Sequence, residues 1–303
     1  MIATTDYELL TEAAGLVDRS ARGKLLLSGA DAAEFLQGQV TNDVEALAPG
    51  EGCYAALLDH KGKIRADLRV LRGERWIWLD TEAEALAAIR RTVRMYSIGR
   101  EVSLEDRTQP DAIVSLLGPA SRAELDIAPP AREHAFVRGQ HGLYVSTDRG
   151  VDVICPAAGV AGVRSALGLP EVSEVAAECL RIESGRPRLG LDMDGGTIPQ
   201  EAGLNERAVS FTKGCYVGQE TVARLFHRGK PNRHLRGLRL ARPAAHGAEL
   251  RLGERIVGVV GSSCVSPRHG PIALALVRRE AVPGDVVAVG AEGAPATVSE
   301  LPF

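Results

Sequence analysis

The hydrophobic pattern of this 303-residue chain changes character near His234, and that change limits the folds open to it. From His234 onward the sequence is a succession of short β-forming runs interrupted by glycines: LRGLRL, AELRL, RIVGVVGSS, IALALV, DVVAV and ATVSEL. Such runs, closely spaced and separated by turn signals, predict a small β-barrel or sandwich of roughly 70 residues. Upstream the pattern is mixed. Lys24–Ser28 reads as a strand, and Asp31-Ala32-Ala33-Glu34 reads as a capping box opening a short helix that ends near Gln39. Cys53–Leu58 and Ile64–Leu71 flank the turn Asp59–Lys63 and predict a hairpin, to which Arg75–Leu79 adds a strand. Thr81-Glu82-Ala83-Glu84 then caps a helix whose Leu86, Ile89, Val93 and Tyr96 recur at helical spacing. The same alternation returns around Asp111–Leu125 and Leu143–Gly168, which predicts α+β layers built on antiparallel sheets. Val172–Ser184 predicts a helix stopped by Gly185 and Pro187, and the polar stretch Gly185–Asn205 reads as a long ordered loop of the kind that carries function.

This length accommodates two or three domains, at about 100–200 residues each. Hydrophobic residues make up 45% and charged residues 25%, enough apolar surface for real cores. A net charge of −3 gives no reason to expect a nucleic-acid partner. The N-terminal residues 1–8 lack the basic start and apolar run of a signal peptide, and no apolar stretch approaches the ~18 residues of a membrane span. The expectation is a monomer in the cytoplasm with no membrane partner. The five cysteines, at positions 53, 155, 179, 215 and 264, form no C-x-x-C pair and no zinc or iron–sulfur spacing, so no metal site is expected and all five are read as free thiols. Four lie among apolar residues; only Cys215 has polar neighbours on both sides.

Cys215 sits in Lys213-Gly214-Cys215-Tyr216-Val217-Gly218-Gln219-Glu220, followed by the basic block Arg224–Arg233. A lysine two residues before a cysteine lowers the thiol pKa when both point the same way, so Lys213 and Cys215 are the candidate catalytic pair. The thiol's alternatives are nucleophile, redox sensor, transient iron ligand or an inert buried residue.

This octapeptide closely resembles the signature of the YgfZ branch of the YgfZ/GcvT family, which includes the glycine cleavage T-protein. Two further blocks agree: Phe35–Val44 with Gly52–Asp59, and Lys61–Val70. The likeness runs from about Leu25 to about Arg233. It implies a T-protein-like α+β fold of two interleaved modules around a central cavity over residues 1–233, with a C-terminal β-barrel over 234–303. It also implies tetrahydrofolate as ligand, and a role as accessory factor in the assembly or repair of iron–sulfur enzymes, with client proteins or assembly factors as partners. Aminomethyl transfer to folate and a non-catalytic folate-binding module are the alternatives, and turnover stays open.

On that footing, Glu183 of the R-x-E-S-G stretch is the expected anchor of the pterin's amino-pyrimidine edge, against a solvated glutamate as the plain reading. Asn42 and Asp43 are either a turn or cavity residues. Asp67 is mid-strand, where aspartate is disfavoured and needs a partner or water. Arg181 and Arg228 complete the expected cofactor set, the latter in a basic block suited to the glutamate tail of a folate or simply to solvent. T-proteins carry two consecutive acids where this chain has Ala66-Asp67, which counts against aminomethyl transfer.

Overall fold

A computed structural model describes residues 4–303; the first three residues of the stretch read for a leader lie outside the described residues. The sheets explain the interleaving. Strand β1 (Gly15–Asp18) begins one sheet, and the chain then leaves it to build another from β2 (Gly23–Ser28), β3 (Glu51–Leu58), β4 (Ile64–Arg72), β5 (Trp76–Thr81) and β6 (Ser103–Asp106), in the order β3-β4-β5-β2-β6. It returns with β7 (Asp111–Leu117), β8 (Phe136–Gly139), β9 (Gly142–Ser146) and β10 (Gly150–Pro156) to complete the first sheet as β1-β7-β10-β9-β8. Every strand pair is antiparallel, as expected of sheets joined by hairpins and short helices. Among the described residues seven α-helices accompany them: α1 (Thr4–Glu12), α2 (Ala32–Gln39), α3 (Leu86–Tyr96), α4 (Val160–Leu167), α5 (Glu174–Glu183), α6 (Asn205–Ala208) and α7 (Gln219–Arg228). Strands β11 (Arg233–Leu240), β12 (Glu249–Leu252), β13 (Arg255–Ser266), β14 (Gly270–Arg278), β15 (Val286–Val289) and β16 (Ala294–Ser299) close into a barrel around Leu238, Leu250, Val257, Val260 and Val287. Among the described residues no helix is long and apolar enough to cross a membrane.

Side-chain alternation in β4 decides where the chemistry lies. Ala66, Leu68 and Val70 point into a core shared with Phe35, Leu36, Ile77 and Leu79. Asp67, Arg69 and Leu71 therefore share the opposite face, which looks toward the first sheet. Leu71 and Trp78, cross-strand partners, pack there against Ile113, Val145 and Ile154 of the first sheet. One step along the same register the pairs become polar: Arg69 opposite Asp80, and Ser115 opposite Asp152. The two sheets thus meet through an apolar cluster that gives way to a polar cavity.

Two local expectations are corrected. Asp31 does not cap α2 with its side chain; its carboxylate accepts the Glu101 backbone N–H at 2.7 Å, tying the helix start to a neighbouring segment. Thr81 is the end of β5 rather than a helix cap, and its hydroxyl donates to the Asp67 carbonyl. In α3, Leu86, Ile89 and Val93 are buried, whereas Tyr96, the last of the predicted periodic residues, is exposed.

Candidate functional site

The cavity between the sheets has a volume of about 470 Å³ and is walled by β4, β5, β10, α5 and the loops at 133–134, 147–149 and 184–188. Asp67 stands on its wall. Tyr54, from the adjacent strand β3, donates its hydroxyl to Asp67 Oδ2 at 2.6 Å, while Oδ1 is sealed from solvent and has no protein donor. Burial pushes the Asp67 carboxyl above its ordinary range, against the opposing pull of the Tyr54 hydrogen bond. Burial and the adjacent Asp67 carboxylate likewise hold the Tyr54 phenol well above its usual value. His134 is the second cavity residue with unused capacity. Burial pulls it down to about 4, so the ring is neutral at physiological pH. Its Nε2 lies 3.7 Å from Glu133 Oε1, and a proton placed there leaves Nδ1, which is buried and unpartnered, as an acceptor. His134 is also the one described non-glycine residue with positive φ, at 68°, so its direction is held at a backbone cost.

Around these two unsatisfied acceptors runs a chain of alternating charges. Asp152 Oδ2 meets Arg69 Nη1 at 2.6 Å, and Arg69 Nε meets Asp80 Oδ2 at 2.7 Å. Asp80 meets Arg22, Arg22 meets Glu82 at 2.6 Å, Glu82 meets Arg188 at 3.0 Å, and Arg188 meets Glu178. Glu178 then meets Arg181 at 2.6 Å, and Arg181 meets Asp192 at 2.9 Å. Burial acts most strongly on Asp152 and would raise it, yet Arg69, Arg19 and the Ser115 hydroxyl together outweigh burial and hold the carboxyl below its usual range. Each charge in the chain has a partner of opposite sign, and the chain links both sheets to α5 and to the loop that follows it. Removing Arg69 or Arg181 leaves the terminal carboxylate of the chain, Asp152 or Asp192, without its counter-charge, which is the costly event at such sites.

The residues expected from the sequence divide sharply. Asp67 lines the cavity. Arg181 does too, but its donors are taken by Glu178, Asp192, Ser262 and the Arg186 carbonyl, so it shapes the wall and has none left for a ligand. Glu183 is buried on the other side of α5, where its carboxylate accepts from the Tyr7 hydroxyl at 2.8 Å and the Ser266 hydroxyl at 2.5 Å; it is not a cavity residue. The register of the helix explains this: Glu178 and Arg181 face the cavity, and Glu183 falls on the flank that meets the barrel. Asn42 bridges the Tyr54 and Arg207 carbonyls, and Asp43 accepts from Gln37 and the Ala46 N–H, so both build a turn outside the cavity lining. Arg228 is exposed at the end of α7, also outside the lining.

The Lys213–Cys215 pairing is also corrected. Lys213 is buried, and its ammonium donates to the carbonyls of Gln37 at 2.6 Å, Val40 at 2.8 Å and Asn42 at 2.8 Å. All three protons are committed, leaving none for the thiol. The lysine staples the end of α2 to the octapeptide, with its charge 5.2 Å from the Tyr216 ring centre. Gly218, at φ 84°, approaches the β3–β4 turn so closely that a Cβ would lie 2.5 Å from the Asp59 carbonyl oxygen. Cys215 itself is exposed and absent from the cavity wall. Ala66 needs a correction of another kind. Its side chain is fully buried in the core beneath β4, so an acid at that position would not reach the cavity, whereas Asp67 does. Alanine at 66 therefore does not count against transfer chemistry.

Sequence reasoning missed Tyr54, Arg69, Asp80, His134, Asp152 and Glu178. For two of them a signal was present: Asp80 and Asp152 are charged residues inside otherwise apolar strands, each two positions from a core side chain of the same face.

Comparison with known proteins agrees with this architecture. Residues 2–138 match the GCVT N-terminal domain and residues 233–303 the glycine cleavage T-protein C-terminal barrel domain. A probable aminomethyltransferase of Natronomonas pharaonis is 31% identical over an alignment of 325 residues that spans 99% of this chain and 90% of that one. The chain belongs to the YgfZ/GcvT family. Within it, the tRNA-modifying protein YgfZ of Yersinia pestis is 30% identical over 251 residues, covering 75% of this chain and 73% of its own. The fold matches that of the glycine cleavage system aminomethyltransferase T of Bartonella henselae with a TM-score of 0.89 at 24% identity, covering 99% of this chain and 88% of that one.

Proposed function

We propose that this YgfZ/GcvT-family protein binds tetrahydrofolate in the cavity, with Asp67 receiving the amino-pyrimidine edge of the pterin. The observation that carries this reading is Asp67 Oδ1, a sealed carboxylate oxygen without a protein donor. An unpaired buried acceptor is expensive in the free protein, and a ligand that brings N–H donors removes that cost on binding. His134, neutral and with Nδ1 also without a partner, lines the same cavity. The cavity volume lies within the range of about 300–1,000 Å³ usual for small-molecule sites. Glu183, Asn42, Asp43 and Arg228 have no part in this arrangement, and Arg181 acts through Glu178.

In the first functional reading, the folate-bound protein serves the assembly or repair of iron–sulfur enzymes, and Cys215 is the group it presents to them. Support comes from the position of the thiol: exposed and outside the cavity, it is open to a protein partner rather than to the folate. A second reading, one-carbon transfer of the aminomethyl type, is favoured by Asp67, the acid of the Ala66-Asp67 pair that faces the cavity. Titrating tetrahydrofolate against wild type and Asp67→Asn tests the shared claim. Mixing the protein with an aminomethylated lipoyl carrier and tetrahydrofolate tests the second: methylenetetrahydrofolate above background selects the transferase, and its absence removes it.

A further inference from the structure

Three residues on one face of β13 engage α5 in succession. The Ser262 hydroxyl accepts from Arg181, Cys264 meets Cys179, and the Ser266 hydroxyl donates to Glu183. In the middle contact the sulfurs are 3.2 Å apart, with the Cys264 S–H directed at Cys179 Sγ. One helical turn on, the Cys179 S–H is directed at Glu183 Oε1, 3.7 Å away. Cys179 is fully buried and Cys264 partly exposed. We propose that Cys179 and Cys264 are a modification site: a dithiol that hydroperoxides convert to an intramolecular disulfide joining α5 to the barrel.

The geometry is close to what the bond requires. The sulfurs must approach by about 1.2 Å to reach the disulfide length of roughly 2.05 Å. The two cysteines also have distinct roles. The hydrogen bond from Cys264, burial and the Glu183 carboxylate together hold the Cys179 thiol far above its ordinary pKa. Cys264, which solvent reaches, is therefore the sulfur that meets the oxidant. In the first step Cys264 Sγ attacks the terminal peroxide oxygen, the O–O bond breaks, and the thiol's own proton passes to the departing oxygen, giving a sulfenic acid and an alcohol or water. In the second step Cys179 attacks the Cys264 sulfur, the S–O bond breaks, and the Cys179 proton passes by way of Glu183 to the departing hydroxide, which leaves as water. One hydroperoxide is reduced by two electrons and two thiols become one disulfide. This also gives Glu183 a role at the helix–barrel contact, where its carboxylate is set against Cys179 rather than against the cavity ligand.

The test is a peptide mass map of the intact chain treated with hydrogen peroxide, digested without reductant and compared with an untreated sample. The expected result is a cross-linked peptide pair containing Cys179 and Cys264, about 2 Da lighter than the sum of the free peptides and released by dithiothreitol. Cys264→Ser abolishes the cross-link and Cys215→Ser leaves it. Glu183→Gln slows its formation at least about tenfold, because the proton of the attacking thiol loses its acceptor. Cys179→Ala abolishes the cross-link too, and should that variant prove insoluble, the wild-type map alone decides. The proposal is overturned if peroxide that fully oxidises Cys215 leaves Cys179 and Cys264 alkylatable after denaturation. It is equally overturned if Cys264 advances to sulfinic acid while Cys179 stays free.

Discussion

Replacing Asp67 by asparagine should move ligand affinity and free-state stability in opposite directions. The amide keeps the shape of the side chain and an oxygen to accept from Tyr54, which lies 2.6 Å from the native carboxylate. What it removes is a buried negative charge with one oxygen unpaired. Losing a charge-assisted hydrogen bond to the ligand should weaken tetrahydrofolate binding by about 1.5–3 kcal/mol, which corresponds to roughly 10–150-fold in Kd. The ligand-free protein should instead gain about 1–2 kcal/mol at neutral pH, because a buried neutral amide, even with its N–H groups unpaired, costs less to desolvate than a buried carboxylate. The pH dependence follows from the sign of the shift. A carboxyl whose folded pKa is raised binds its proton more tightly when folded, so wild-type stability falls as pH rises from the ordinary value of 3.8 through the folded value. The gain of Asp67→Asn is therefore present above that window and vanishes below pH 3.8. Isothermal titration with tetrahydrofolate and urea unfolding at several pH values measure the two effects on one preparation. If affinity is unchanged, or if the variant is less stable than wild type at neutral pH, Asp67 is a strut of the fold and the ligand assignment fails.

How much of this was legible in the sequence depended on whether the deciding information was periodic or spatial. The barrel was legible because β-forming runs such as IALALV and DVVAV follow one another closely and are separated by glycines and polar turns, a signal that survives without knowledge of neighbours. The β3–β4 hairpin was legible for the same reason, with Asp59 accepting the Lys61 and Lys63 N–H groups to form the expected turn. The site was harder. Proximity along the chain made Lys213 and Cys215 look like a pair, yet a lysine side chain has the reach to bond three carbonyls of residues 37–42, and it does. Glu183 and Asp67 were both conspicuous acids, and only the helical register of α5 and the alternation of β4 separate the one facing the barrel from the one facing the cavity. Applied to Ala66, that alternation would have shown from the sequence alone that positions 66 and 67 face opposite ways. The charge chain from Asp152 to Asp192 was invisible, since its members come from both sheets, α5 and the loop after it, and no local pattern brings them together.

Other residues give equally direct tests. Cys215→Ser and Glu183→Gln should both leave tetrahydrofolate affinity within about twofold, since neither side chain lines the cavity; a loss of the size expected for Asp67→Asn would return them to the binding site. Lys213→Met should destabilise the fold by about 2–4 kcal/mol in urea, with three carbonyls left without their donor, while the alkylation rate of Cys215 stays at the wild-type value. His134, held at about 4 against 6.5 unfolded, makes wild-type stability rise by up to about 3 kcal/mol as pH rises across that interval; His134→Asn, which tolerates positive φ, should flatten the rise in thermal unfolding scans. Arg69 tests the charge chain itself. It joins Asp80 of one sheet to Asp152 of the other through contacts of 2.7 and 2.6 Å, and among the described residues the Asp152 carboxylate has otherwise only the Ser115 hydroxyl within hydrogen-bond distance. Arg69→Met should therefore cost about 3–5 kcal/mol, most of it from stranding the Asp152 charge between the sheets. If that account is right, adding Asp152→Asn to Arg69→Met should restore stability relative to the single variant, because the stranded charge is removed with its partner. A double variant weaker than Arg69→Met would mean that packing of the arginine stem, and not charge compensation, holds the two sheets together at the cavity.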